Sequence, residues 1–166
     1  MEKMCKVHVE VDIASEFRYR EPLVDEKTLC IFITQSGETA DTIAALKLCK
    51  EKGAKTIATT NVIGSSITRE ADYAIYTHAG PEIAVASTKA YTSQITLRTL
   101  LTIYFAEILE TITPEEVKNI LNGLLELPSK IESIFKNTDQ FSNLAKNIFK
   151  EKDVFYIGRG VDYVTL

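Results

Sequence analysis

Residues Thr28–Thr39 read TLCIFITQSGET, and the fold of the chain is decided there. Leu29, Cys30, Ile31, Phe32 and Ile33 form an apolar run without polar alternation, the pattern of a strand covered on both faces in a parallel sheet flanked by helices. A turn of hydroxyls, one amide and one glycine follows, and it opens a helix. The turn therefore lies at the carboxyl end of a buried strand, where open α/β sheets bind small ligands. Thr34, Gln35, Ser36 and Thr39 supply neutral donors, and Gly37 lets the backbone approach closely. The first amides of the next helix aim the positive end of its dipole at the same spot. Together these features describe a site for phosphate or another small anion. Ser36 and Thr39 are also ordinary helix-capping residues, so capping is the competing account. The turn has neither the Gly-Lys-Ser/Thr of a nucleotide loop nor the Gly-x-Gly-x-x-Gly of a dinucleotide fold, which argues against both ligands. Glu38 is expected to face away from the anion.

Outward from this stretch, Val7–Val11, Lys55–Asn61 and Tyr73–Thr77 are rich in β-branched or aromatic residues and are expected as strands. Ala40–Lys52 carries Ile43, Ala44, Leu46 and Cys49 at helical spacing and stops at Gly53, and Gly64–Ala71 is a shorter helix. Strand, helix, strand, helix, strand is the order of a doubly wound parallel α/β sheet with flanking helices. Val85–Thr111 then reads as one long helix whose apolar residues wrap much of its circumference, so neighbours or a second subunit must bury it. Thr113-Pro114-Glu115-Glu116 starts another helix, with proline at the first helical position. Pro128 is expected to end it, and Ser129–Lys150 to form a third. Val154–Ile157, followed by Gly158-Arg159-Gly160, has the character of a buried strand running into a glycine turn, the start of another α/β unit. The expected organisation is a sheet domain over 1–112, a helical connector over 113–152 and the beginning of a second repeat over 153–166.

A second hydroxyl-rich helix start, GPEIAVASTKAYTSQ at Gly80–Gln94, follows the last strand. Ser87, Thr88, Thr92 and Ser93 place hydroxyls across its first turns, on the same sheet edge as Ser36. Capping by Ser87 competes with binding there, and Lys89 is expected to be solvated rather than on a phosphate. For the third such turn, Gly64-Ser65-Ser66, capping is preferred. His8 and His78 lack a carboxylate or cysteine at a spacing that would make them acid, base or ligand, and they are read as structural. ASEFRYRE, around Glu16, Arg18 and Arg20, is read as a charged aromatic loop, either solvated or a domain contact.

With 166 residues, 45% of them hydrophobic and 25% charged, the chain has the composition of a soluble globular protein with one real core. Its net charge of -4 and scattered Lys and Arg give no surface for nucleic acid. The longest apolar run is interrupted by Thr102 and Glu107, too soon to span a bilayer, and no signal peptide is expected. Cys5, Cys30 and Cys49 have neither metal-ligand nor disulfide spacing and are read as reduced thiols of a cytoplasmic protein. No metal and no cofactor are called for.

Four segments together carry a resemblance: TQSGETADT at Thr34–Thr42, VDIASEFRYR at Val11–Arg20, NVIGSSITREAD at Asn61–Asp72 and EIAVASTKAYTSQ at Glu82–Gln94. They resemble the isomerase half of the glutamine:fructose-6-phosphate aminotransferases, which is built from sugar isomerase (SIS) repeats. The resemblance covers nearly the whole chain, and ASEFRYR and ASTKAYTSQ are specific to the aminotransferase branch. It implies that Thr34, Gln35, Ser36 and Thr39 hold the phosphate of fructose 6-phosphate, with Thr34 in place of a commoner serine. It implies sugar contacts from the Val85 backbone and Ser87, in a cytoplasmic homodimer that works with a glutaminase domain. The implied reaction transfers glutamine nitrogen to fructose 6-phosphate and gives glucosamine 6-phosphate. Matched against the family, the chain begins after the first SIS strand and ends at the first strand of the second repeat. The family's catalytic glutamate, histidine and lysine would lie downstream, so no catalytic residue is assigned and the chain alone is expected to be inactive. Asp153–Gly158 is expected to fill the slot of the absent central strand, in its own chain or swapped into a partner, bringing Arg159 beside Ser36. A non-catalytic sugar-phosphate sensor module and a pure assembly domain are the alternative readings.

Overall fold

Three parallel strands in the order β1-β2-β3 carry the fold: β1 (Leu29–Ile33), β2 (Lys55–Thr60) and β3 (Tyr73–Tyr76). Leu29 stands opposite Lys55 and Ile33 opposite Thr59, while Ile57 stands opposite Tyr73 and Thr60 opposite Tyr76. The structure is a computed structural model that describes residues 1–81, 83, 88–155 and 157–158. Its helices are α1 (Glu2–Cys5), α2 (Ala14–Phe17), α3 (Ala40–Glu51), α4 (Ser66–Glu70), α5 (Thr88–Ile108), α6 (Pro114–Phe135) and α7 (Thr138–Ile148). Two units are distinguished, Met1–Lys118 and Asn119–Leu166.

In the first unit, β2 is the central strand. Thr56 through Thr60 are all buried, and because successive residues of a strand face opposite ways, both faces of β2 are covered. The core joins Leu46 of α3, Ala58 of β2 and Ile67 of α4, with Phe32, Ile43 and Ala71 against them. Three buried threonines would be costly here without hydrogen bonds, and each has one. The Thr59 hydroxyl donates to the Phe32 carbonyl at 3.0 Å, and the Thr60 hydroxyl to the Gln35 carbonyl at 3.1 Å. Thr56 gives both its N–H, at 2.9 Å, and its hydroxyl, at 3.0 Å, to the Asp72 carboxylate, whose pKa is thereby held below the usual carboxylate range, with Lys50 adding attraction. Elsewhere in this unit α1 lies against α5, where the Cys5 thiol reaches the Thr102 carbonyl at 3.4 Å.

Several expectations are corrected. Val7–Val11 is not a strand, and Val7 and Val11 are exposed. Alternating β-formers do not hold a strand without a neighbour to hydrogen-bond. β1 is half-buried rather than covered on both faces, and among the described residues only β2 pairs with it. ASEFRYRE is not all loop: Ala14–Phe17 forms α2, and Arg18 reaches Asp41 in the first turn of α3 at 2.9 Å. Arg20 is tied to Glu10 and, at 2.7 Å, to Asp12.

α6 begins as expected, in a capping box: the Thr113 N–H donates to the Glu116 carboxylate at 2.9 Å and the Glu116 N–H to the Thr113 hydroxyl at 3.3 Å. It does not stop at Pro128 but runs through it to Phe135, and the break comes at Lys136 and Asn137. A proline removes one donor and bends a helix, while the apolar stripe of α6 continues at helical spacing on both sides. In the second unit the tail also differs from expectation. Asp153–Phe155, Ile157 and Gly158 form no strand, and Val154, Phe155 and Ile157 are 53%, 85% and 92% exposed. The strand expected over Val154–Ile157 is therefore not formed at its described residues. A strand is held by its pairing with a neighbour, not by β-propensity alone. Arg159 lies outside the described residues.

Candidate functional site

The turn from β1 into α3 is built from the sheet upward. Thr34, 7% exposed, continues the β1–β2 ladder by donating its N–H to the Thr59 carbonyl at 3.0 Å. The Gln35 carbonyl accepts from the Asn61 N–H at 3.1 Å and from the Thr60 hydroxyl, so the next residue is anchored as well. Gly37 then takes a φ of +70°, a left-handed conformation that side chains other than glycine's rarely adopt. Its N–H donates to the Thr34 hydroxyl oxygen at 3.2 Å, and the Glu38 N–H donates to the Ser36 hydroxyl oxygen at 3.2 Å. These two hydroxyl oxygens hold the turn shape, and among the described residues no acceptor takes either hydroxyl proton.

Thr39 is the N-cap residue of α3, yet its side chain makes no capping hydrogen bond. The α3 ladder starts with the Ile43 N–H on the Thr39 carbonyl at 3.1 Å, so the first amides of the helix have no intrahelical partner. Ser36 and Thr39 are exposed. The turn thus presents hydroxyls from Ser36 and Thr39 beside unpaired helix-start amides. Capping would consume the Thr39 hydroxyl, and it does not occur. Glu38 turns to a different helix: its carboxylate accepts the Ser66 N–H at the start of α4 at 2.8 Å. Ser66 and, more weakly, Arg69 hold the Glu38 pKa below the usual carboxylate range.

Sequence reasoning missed what lies under this turn. Ser65, 3% exposed, sits so close to Gly37 that a Cβ added to the glycine would fall 2.2 Å from the Ser65 hydroxyl oxygen. Ser65 is the N-cap residue of α4 without a side-chain capping bond, so the capping role expected of it is not observed. Its hydroxyl oxygen and the Gln35 side-chain oxygen are buried without a hydrogen-bond partner among the described residues. The Ile67 N–H reaches over to the Gly37 carbonyl at 3.0 Å. Asn61 was missed too: its side chain takes the Thr77 hydroxyl at 3.1 Å and the Ala79 N–H at 2.8 Å and donates to the Gly80 carbonyl at 2.7 Å, fixing the exit of β3. An asparagine directly after a central strand was the available signal.

Of the second hydroxyl cluster, Val85 and Ser87 lie outside the described residues. Lys89 donates to the Pro81 carbonyl, and the Ser93 hydroxyl to the Lys89 carbonyl at 2.7 Å. Thr92, Ser93, Thr96, Leu97 and Leu100 of α5 line an open cleft of about 280 Å³ with Tyr76 and Thr77 at the end of β3. His8 is exposed near Glu2, at 3.6 Å, and His78 stands beside the Tyr76 ring, with centroids 6.1 Å apart. Among the described residues no group of three or more His, Cys, Asp or Glu side chains is placed to hold a metal, and no helix is long and apolar enough to cross a membrane.

The chain is 52% identical over 163 residues to the glutamine–fructose-6-phosphate aminotransferase (isomerizing) of Clostridium acetobutylicum, an alignment that takes in 98% of this chain and 27% of that protein. It is 49% identical to the enzyme of the same name from Thermococcus kodakarensis over 93% of this chain and 26% of that protein. The chain therefore spans about a quarter of the length of the curated relatives it matches. Among solved structures, the C-terminal domain of glucosamine-fructose-6-phosphate aminotransferase from Francisella tularensis superposes with a TM-score of 0.92 at 34% identity, over 98% of this chain and 46% of that one. The family model for the SIS domain matches residues 1–104, the stretch that holds the sheet and the β1–α3 turn, and the chain belongs to the SIS domain family.

Proposed function

We propose that the chain is the sugar-phosphate-binding part of the isomerase region of a glutamine:fructose-6-phosphate aminotransferase, and that Thr34, Gln35, Ser36 and Thr39 form its phosphate site. The observation that carries this reading is the β1–α3 turn, where the Ser36 and Thr39 hydroxyls stand beside unpaired amides at the start of a 12-residue helix while Glu38 is drawn off to α4. Val85 and Ser87 would contact the sugar. The relatives' names supply the substrate, fructose 6-phosphate, and the sugar amine as product. On this reading the parent protein is a cytoplasmic homodimer with a glutaminase domain. Residues 1–112 are its first SIS repeat, 113–152 a connector and 153–166 the start of a second repeat.

The part played here is binding and orientation. The turn holds the phosphate end of the sugar, and proton transfer between C1 and C2 falls to a base supplied outside this chain. Calorimetry with fructose 6-phosphate tests the assignment: Ser36→Ala and Thr39→Val are each expected to weaken binding by roughly 1 to 3 kcal/mol, the usual loss for a hydrogen bond to a charged group. Unchanged affinity in both variants would move the site elsewhere. The same protein, freed of host enzymes, is expected to form no glucosamine 6-phosphate from fructose 6-phosphate and glutamine.

A further inference from the structure

Glu38 is an acid inside a turn that otherwise suits an anion, and its position needs a reason. Its carboxylate accepts the Ser66 N–H at 2.8 Å. Next to it the Ile67 N–H holds the Gly37 carbonyl at 3.0 Å, and the Ser65 side chain fills the space where a Gly37 Cβ would stand. Arg69 closes the arrangement from the other side, donating to the Ser66 hydroxyl at 3.2 Å and to the Gly64 carbonyl. The β1–α3 turn is thus tied to the start of α4 by consecutive residues on each side, Gly37 and Glu38 facing Ser65, Ser66 and Ile67.

We propose that Glu38 is a positioning residue for the anion site: by taking the Ser66 N–H it locks the Thr34–Thr39 turn onto α4 and fixes the Ser36 and Thr39 hydroxyls in place. The proposal rests on the phosphate reading of that turn. It has a consequence opposite to simple electrostatics. A carboxylate near a phosphate repels it, so if charge were its whole contribution, removing Glu38 by any substitution would tighten binding. If Glu38 is a lock, the outcome depends on what replaces it. Glu38→Gln keeps an oxygen of the same reach for the Ser66 N–H and loses only the charge, whereas Glu38→Ala loses the acceptor.

Two measurements on the whole chain separate these cases. Amide hydrogen exchange reads the lock with no ligand present: Glu38→Ala is expected to speed exchange at Ser66 and Ile67 by about tenfold or more, and Glu38→Gln to leave it near that of the unsubstituted chain. Titration with fructose 6-phosphate reads its effect on the site: Glu38→Ala is expected to weaken binding on the order of tenfold, and Glu38→Gln to match or exceed the parent affinity. Unchanged exchange in Glu38→Ala, or tighter binding in both variants, would overturn the proposal. If the unsubstituted chain binds no fructose 6-phosphate while Glu38→Ala still loosens Ser66 and Ile67, the phosphate reading falls and the lock stands.

Discussion

Two glycine turns in this chain look alike in sequence and behave differently in the fold. Ser36-Gly37 precedes α3 and Gly64-Ser65-Ser66 precedes α4, and the two glycines adopt nearly the same left-handed φ, +70° and +72°. Gly37 is buried against Ser65, while Gly64 has nothing within 4 Å of where a Cβ would be. The first turn displays its hydroxyls and the second supplies a foundation, because Ser65 points under the first turn instead of capping its own helix. Composition alone does not separate a turn that displays its hydroxyls from one that supports it. What separates them is which turn lies at the carboxyl end of which strand, and what is packed beneath it.

The largest effect should come from Gly37→Ala. Left-handed strain and overlap with Ser65 act together there, and the loss of stability is expected to be roughly 2 to 4 kcal/mol in chemical denaturation. Combining it with Ser65→Gly removes the overlap with Ser65 and leaves the strain and a tight contact with Ile67, 3.0 Å from the added Cβ; if the double variant is no more stable than the single one, Ser65 is not the obstacle. Gly64→Ala meets only the strain, about 1 kcal/mol, and should leave fructose 6-phosphate affinity unchanged. A cost equal to that of Gly37→Ala would erase the distinction between the turns.

The smallest effect is in pH. The Glu38 pKa is lowered in the folded protein by Ser66 and Arg69, so its contribution to stability is present above the unfolded value and is lost as pH falls through the lower folded one. The stability difference between the unsubstituted chain and Glu38→Gln should therefore shrink as pH drops below about 4. A difference constant across that range would mean that the Glu38 charge adds nothing beyond the neutral acceptor that Glu38→Gln keeps. Asp72 and Glu116 titrate in the same direction, and comparison with Glu38→Gln removes their shared contribution.

Much of the first unit was legible before the structure. The apolar run at Leu29–Ile33, the β-rich Lys55–Asn61 and Tyr73–Thr77, the glycine stop after α3 and the short helix expected over Gly64–Ala71 placed three strands and two helices to within a residue or two, because local periodicity and burial agree there. Val7–Val11 failed for the opposite reason, since a strand exists only as a pairing and the residues that would pair with it are a property of the whole sheet. Pro128 misled because a local rule about one lost donor was set against amphipathic spacing that extends along α6. At the candidate site, the buried Thr34 and the exposed Ser36 and Thr39 could be read from a strand-to-helix turn. The supporting residues could not: Ser65 lies 28 positions after Gly37 and meets it only because α4 packs beside α3, and the hydrogen bond from Ser66 to Glu38 arises from the same packing.

The most direct test of the central claim is a two-dimensional amide spectrum of the isotope-labelled chain during titration with fructose 6-phosphate. The largest shifts are expected at Gln35 through Thr42, with inorganic phosphate moving the same amides in the same direction. Shifts gathered instead at Tyr76, Thr77 and the first turns of α5, or none anywhere at millimolar sugar phosphate, would contradict it.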